Sequence, residues 1–515
     1  MQPQSEPTAE PARFPMRFAI GNLIRKIDVK ILAFAIIVIG IFLRLYQYLS
    51  NRSLWYDESL LSVNIIQKSF SELFSTLDHG QGAPILFLLI EKVLSNLIGN
   101  NEYALRLFPL MAGISAIFLT YKVIEYFVNR HAALVGTFIL AVSQHLIYYS
   151  SEVKQYSSDV AIAALLYFLY KRLLEKNNFP FSKIIIFGFI SCMVMWVSHP
   201  SIFIIAGIIL VIIGKFIIDK RWKDLAYIFT TSMIVLSSFA VFYFISLNDL
   251  LHNTAFNHWL SAFMPTNPFS FQNTKWITSN FFILFQLPVG TPLLGIAALP
   301  FIVGFVSMFQ RDKSNFFVLL TPVVLTLIAS SLRMYPFVGR LTLFLTPSIL
   351  IFISEGTRTI IRATWATSPI VGLVLSALLL LPPSFYTAHN VVIKQQRREE
   401  IKPIMRYIQR FKQPGDVLYL YYASHLPFEF YKDDYNLGGE TYVVGVRSRG
   451  NWKPYIQDID KLRGHQRVWF VFSHVHGHGS IDEEVIFIRH LDSIGRRLRS
   501  FKQPGASAYL YDLTL

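Results

Sequence analysis

Up to residue 383 the chain is divided into about eleven apolar runs, most of them near the ~20 residues that cross a ~30 Å hydrocarbon layer. They fall at roughly 31–49, 107–127, 131–149, 158–173, 183–198, 200–218, 225–246, 289–309, 316–332, 341–356 and 368–383. In lipid every backbone polar group must be paired within the protein, so such runs fold as spanning helices. Composition agrees. Of 515 residues 53% are hydrophobic and 15% charged, with a mean hydropathy of +0.43, against about a quarter charged in soluble domains. The sequence therefore predicts a polytopic α-helical membrane protein. Its formal net charge of +15 comes from Lys and Arg concentrated in short loops, the pattern of a topology signal, so nucleic acid is not expected as a partner. Cys192 is the one cysteine, which rules out an intramolecular disulfide and a cysteine metal site.

The run PILFLLIEKVLSNLI at 84–98 carries Glu91 and Lys92 at its middle. It is short for a span, and a charged pair at the bilayer centre is costly, so an interfacial or re-entrant helix is expected. With that choice the basic residues concentrate inside, for example Arg25, Lys26, Arg130, Lys171, Arg172, Lys220, Arg221, Lys223, Arg311, Lys313, Arg358 and Arg362. If 84–98 spanned, every later loop would change sides and the bias would reverse. The expected organisation is a cytoplasmic tail over 1–30, a transmembrane module over 31–383 with a long first outside loop at 50–106, and an extracytoplasmic domain over 384–515. The first helix is expected to be retained rather than cleaved as a signal peptide.

The last segment changes character. Helix-like stretches (397–411, 453–463, 481–497) alternate with strand-like ones (416–422, 441–446, 467–472, 506–513), which predicts a small α/β soluble domain. FKQPG occurs at 411–415 and 501–505, each time between a helix-like and a strand-like stretch, and reads as a reused helix-stop turn.

Three outside loops hold candidate chemistry. The first places Asp57 and Glu58 behind Trp55 and Tyr56, aromatics that mark headgroup depth. A carboxylate there can take a proton from an incoming hydroxyl, although two acids in a first helical turn also complement the dipole. The second, YYSSEVKQYSSDV, brings Glu152, Lys154, Tyr156 and Asp159 to the point of membrane re-entry. The third, SLRMYPFVGRLTLF, sets Arg333 and Arg340 around a Pro-Gly turn, and their planar guanidinium forks suit phosphate. The loop near 247–288, with His252, His258, Trp259 and Trp276, is a candidate lid or substrate wall. In the tail, SHVHGHGS alternates His474, His476 and His478, so a divalent metal is possible there.

Together these residues resemble the GT-C superfamily of glycosyltransferases, family 39 in particular. Those relatives are the protein O-mannosyltransferases and the transferases that place aminoarabinose on lipid A. The resemblance is carried by the order of LWYDESL (54–60), the apolar run from Pro84, GNNEYALRLFPLMAG (99–113), YYSSEVKQYSSD (148–159) and RMYPFVGRLTLFLTP (333–347). It implies a GT-C-like membrane module and a polyprenyl-phosphate sugar donor, with Asp57 as base and Glu58 positioning it or the acceptor. Arg106 matches the Arg of the "NEYALR" stretch and Asp159 an acid at the re-entry point. Relatives commonly show His-Pro-Pro or Glu-Lys-Pro-Pro before the short apolar run. Here DHGQGAPIL leaves only Asp78, His79 and Pro84 as counterparts.

The expected function is transfer of a sugar from a polyprenyl-phosphate donor to a protein, lipid or glycan acceptor at the outer face of the bilayer. It would proceed with inversion, with Arg333, Arg340, Lys154 and Arg106 as candidates for the donor phosphate. The expected location is a bacterial inner membrane. A lipid or polysaccharide transporter or flippase is the main alternative. A transferase using another donor, and a structural membrane protein whose tail binds a partner, are further ones. The topology is directly testable. A reporter fused after Leu515 should report the outside compartment and one fused after Asn178 the inside, and the opposite pair of results would contradict the assignment.

Overall fold

In the computed structural model the described residues are 28–174, 181–248, 259–267, 270–287, 289–291, 294–365, 368–478 and 481–514. Most of the expected N-terminal tail, His252 and His258 lie outside them, as does the His478 side chain.

A helix stands at each expected span: α1 (Val29–Leu49), then, after α2 (Tyr56–Gln67) and α3 (Ile85–Ile98), α4 (Glu102–Phe127), α5 (Arg130–Val142) with α6 (Gln144–Tyr149), α7 (Tyr156–Leu174), α8 (Phe181–Met195), α9 (Ser201–Ile218) and α10 (Trp222–Phe242). After α11 (Phe271–Gln286) the series resumes with α12 (Leu294–Arg311), α13 (Lys313–Ser331), α14 (Thr346–Thr364) and α15 (Pro369–Thr387). Among the described residues seven helices are long and apolar enough to cross a membrane, and three shorter apolar ones match 131–149, 183–198 and 289–309. In α7, Asp159, Lys171 and Arg172 lower the apolar character.

The expected continuous span at 131–149 is broken. Ser143 is extended between α5 and α6, which frees carbonyls at membrane depth. Buried Arg44 of α1 donates to Leu140 O (3.1 Å) and Ala141 O (3.2 Å), and the Thr387 hydroxyl donates to Val142 O. Broken helices persist in membranes where such partners exist. The reading of 247–288 as loop also needs correction, because α11 occupies its second half, capped by the Ser270 side chain.

The C-terminal segment supplies α16 (Ile401–Phe411), β1 (Val417–Leu420), α17 (His425–Tyr431), β2 (Tyr442–Val444), α18 (Lys453–Asp460), β3 (Val468–Ser473), α19 (Glu483–Ile494), β4 (Arg496–Gln503) and β5 (Ala506–Asp512). A two-residue ribbon, 477–478 with 481–482, precedes α19. The sheet order is β2-β1-β3-β5-β4, with β1 parallel to β2 and β3, and the other pairs antiparallel. Strand β4 and helix α17 were not expected. Arg496, Arg497, Arg499 and Lys502 make β4 a charged edge, a device that discourages edge-to-edge pairing but hides a strand from its pattern. The FKQPG expectation is corrected at its second copy. At 411–415 the string ends α16, whereas Phe501–Gln503 belong to β4 and Pro504-Gly505 turn the hairpin into β5.

Helix α3 packs into the soluble-side core. Its Phe87 and Leu88 share a cluster with Leu54, Leu61, Ile65 and Leu105, and with Ile401, Ile404, Leu418 and Trp469 of the sheet region. Its 14 residues cover only about 21 Å. The same layers are tied by polar contacts. Lys402 Nζ reaches Glu102 (2.6 Å) and Asn51 O (2.6 Å). The Tyr431 hydroxyl donates to Glu102 (2.8 Å) and accepts from Leu54 N (2.9 Å).

Within the bundle α12 and α14 approach to backbone contact. A Cβ placed on Gly304 would collide with the Phe352 carbonyl, and one on Gly356 with the Pro300 carbonyl. Small residues at helix crossings permit this in membranes. Gly304→Ala should therefore destabilise the protein by about 1–3 kcal/mol, as overpacking does, read as a lower thermal midpoint in detergent. An unchanged midpoint would contradict the close crossing.

Candidate active site

The loop after α1 delivers its two acids at the start of α2. Trp55 is the N-cap of α2, and Glu58, three residues on, reaches back to its amide (3.4 Å), one half of a capping box, the indole having no acceptor for the other half. Glu58 goes further. It is fully buried and receives Arg52 (2.9 Å), Arg106 through Nε (3.0 Å) and Nη2 (2.9 Å), and the Val153 amide (3.0 Å). Burial works to raise its pKa, but the two guanidiniums outweigh it and hold the carboxyl well below the usual range. Glu58 thus joins the 52–58 loop, α4 and the 150–155 turn.

Asp57 carries none of the capping. It points the other way, into a cavity of about 860 Å³, and meets Lys154 Nζ (3.2 Å) and Arg340 Nη2 (2.7 Å). Burial opposes its charge, but the two cations prevail and keep its carboxyl below its ordinary value. Lys154 is also held by Gln81 Oε1 (2.8 Å). The Arg340 guanidinium lies 5.6 Å from the Trp55 ring centre and 5.4 Å from that of Tyr156, which fixes its direction. Gly339, at φ 50°, lets the chain turn there.

The cavity has two ends. Around Asp57 it is polar, with His79, Gln81, Lys154, Tyr156 and Arg340, and with Arg447, Arg449, His474 and His476 from the C-terminal loops. The other end is apolar and lies between α9, α10 and α13, lined by Ile202, Phe203, Phe239, Leu325, Ile328 and Leu332. Asp159 and His199 sit on its wall. The Asp159 carboxyl is buried, with Oδ1 unpaired by hydrogen bonds.

Tyr56, Asp57, His79, Lys154, Tyr156, Asp159 and Arg340 are thus brought together. Glu152 lies behind them, fully buried, accepting from Trp55 Nε1 (3.3 Å) with Arg340 at 3.9 Å. Burial and the neighbouring Glu58 push its carboxyl up. Arg106 is not on the cavity, since its guanidinium is spent on Glu58 and on the Arg52 and Ser53 carbonyls. Asp78 is exposed and paired with Lys68 (3.1 Å), and Arg333 is exposed outside the cavity. Among the described residues His474 and His476 assemble no ligand set. His474 stacks on Tyr56 (4.6 Å) and pairs with Glu399 (2.6 Å), while His476 meets Arg449. No group of three metal-ligating side chains occurs among the described residues. The sequence reading missed Gln81, His199, Arg447 and Arg449. The VRSRG spacing, two arginines with period two, was the available signal for the last pair.

Residues 82–244 match the family described as dolichyl-phosphate-mannose-protein mannosyltransferase. No curated protein matches in sequence. Among solved structures, ArnT from Cupriavidus metallidurans bound to undecaprenyl phosphate superposes with a TM-score of 0.53 at 10% identity, over 93% of this chain and 97% of that one. The apo state of that protein gives 0.52 at 10%, over 96% and 98%. The oligosaccharyltransferase AglB from Archaeoglobus fulgidus, in complex with an inhibitory peptide and a dolichol-phosphate, gives 0.52 at 11%, over 93% and 74%. The fold is that of the GT-C membrane enzymes.

Glu58 and Asp57 should separate experimentally. Glu58→Gln leaves two buried guanidiniums without their counter-charge, a change that costs about 3–5 kcal/mol. It should lower the yield of folded protein and its thermal midpoint sharply. A Glu58→Gln protein as stable as the parent would contradict this anchoring role.

Proposed function

We propose that the chain transfers a sugar from a polyprenyl-phosphate donor to an acceptor nucleophile at the extracytoplasmic face of a membrane, the inner membrane in a bacterium. The observation that carries this reading is Asp57 held between Lys154 and Arg340, where a polar chamber meets an apolar groove. A polyprenyl phosphate has that same division, one anionic head on a long apolar chain. The relatives solved with undecaprenyl phosphate and with a dolichol-phosphate support the assignment. In this reading the module 31–383 holds the donor, and the region from 384 covers the site from the extracytoplasmic side.

The proposed step is a single displacement. An acceptor hydroxyl or amine forms a bond to the anomeric carbon as the bond from that carbon to the phosphate oxygen breaks. The proton goes to Asp57, and the polyprenyl phosphate leaves with the electron pair. Attack opposite the leaving group inverts the anomeric centre. Lys154 and Arg340 stabilise the growing phosphate charge, the part of such a reaction where fixed cations contribute most. They also link binding to basicity. While both face Asp57 they keep its carboxyl below its usual range. A phosphate placed between them shares their charge and leaves Asp57 a stronger base when the donor is bound.

Asp57→Asn keeps shape and cannot take the proton. Turnover should fall about 100-fold or more, with undecaprenyl phosphate affinity roughly retained. Near-normal transfer by a well-expressed Asp57→Asn protein would remove Asp57 as base. Arg340→Ala should weaken undecaprenyl phosphate binding by about 1.5–3 kcal/mol, as expected for a lost charge-assisted contact. Unchanged affinity would take Arg340 out of the donor site.

A further inference from the structure

The C-terminal loops place two arginines over the polar end of the cavity, and the reaction above uses neither. Arg447 and Arg449 both line it, beside Tyr56, His474 and His476. Arg449 is held in place, its Nε donating to the Tyr422 hydroxyl (2.8 Å) and its Nη2 to His476. Both guanidiniums lie near the Tyr422 ring, at 6.0 and 5.7 Å from its centre. His476 can accept from Arg449 because burial and the arginines around it keep its imidazole neutral, pushed down to about 4. Neither guanidinium has a carboxylate partner among the described residues, whereas the cations deeper in the cavity, Lys154 and Arg340, both face Asp57. Two exposed guanidiniums at the rim of the chamber, Arg449 held in place and neither with a carboxylate partner among the described residues, suit an anion.

Their place decides which anion. Arg447 and Arg449 follow β2, in the sheet region that roofs the polar end of the cavity, and line it with Tyr56. They thus sit on the C-terminal rim, while the donor phosphate belongs with Lys154 and Arg340 near the apolar groove. We propose that Arg447 and Arg449 form an acceptor subsite that binds an anionic group, phosphate or carboxylate, on the molecule receiving the sugar. The sheet region thereby selects the acceptor. This rests on the transferase reading and concerns a separate part of the same cavity.

The experiment uses the full chain in detergent, first saturated with undecaprenyl phosphate to fill the donor side and then titrated with inorganic phosphate. The parent should bind phosphate saturably. Arg447→Gln/Arg449→Gln should bind it about tenfold or more weakly, while its affinity for undecaprenyl phosphate stays within about twofold. That retained affinity also shows that the variant is folded. Non-saturable phosphate binding in the parent overturns the subsite. So does equal phosphate binding by parent and variant. A variant that loses undecaprenyl phosphate affinity as Arg340→Ala does would make the rim part of the donor site, also against the proposal. Loss of the phosphate site when a polyprenyl-phosphate sugar replaces undecaprenyl phosphate would assign the anion to the donor sugar and overturn the acceptor assignment. Failure of the parent to bind undecaprenyl phosphate, with inorganic phosphate still bound through Arg447 and Arg449, would sink the donor reading and leave the anion site standing.

Discussion

The arrangement of the site depends on one buried ion cluster, Glu58 with Arg52 and Arg106. A carboxylate removed from water is costly unless paired and hydrogen-bonded. Glu58 meets that condition through two guanidiniums and a backbone amide. In doing so it holds the start of α2, the side of α4 and the 150–155 turn in one register. Asp57, one residue away, points elsewhere for a geometric reason. Adjacent residues on a helix diverge by about 100°, so when one acid is fixed inward the other faces the cavity. The adjacent acids therefore do different jobs, one anchoring and one facing the chamber.

A second constraint is that the site has two solvents. Its apolar end, between α9, α10 and α13, continues the character of the bilayer, and its polar end is roofed by loops of the sheet region. Only a ligand divided in the same way fills both ends without stranding a charge in an apolar wall. Lys154 and Arg340 stand where the two meet, with Asp57 supplying their counter-charge. Glu399 binds the roof to the site. It accepts from Tyr56 N (2.8 Å) and pairs with His474, whose ring stacks on Tyr56.

Much of this was legible in the sequence. Apolar helices announce themselves by length and composition, and every expected run holds a helix, seven of those described being long and apolar enough to cross a membrane. The short run with Glu91 and Lys92 was set apart by its charges, and α3 packs in one cluster with residues of the sheet region. The break at Ser143 was not legible, because it depends on Arg44 and Thr387, distant in sequence. Convergence of Asp57, Lys154, Tyr156 and Arg340 followed from their sharing one face. What periodicity could not supply was direction. Arg106 and Arg340 look equally suited to phosphate in the sequence, yet one is buried against Glu58 and the other faces the cavity. Arg447 and Arg449 escaped notice because they approach from a sheet region whose docking onto the bundle no local pattern encodes.

The most direct test of the account is a structure of the full chain with undecaprenyl phosphate bound. The account predicts the phosphate within hydrogen-bond reach of both Lys154 and Arg340, next to the Asp57 carboxylate, with the isoprenoid chain running past Phe203, Phe239 and Ile328 between α9, α10 and α13. A phosphate bound away from these cations, or a lipid chain lodged in another groove while this one stays empty, would contradict it.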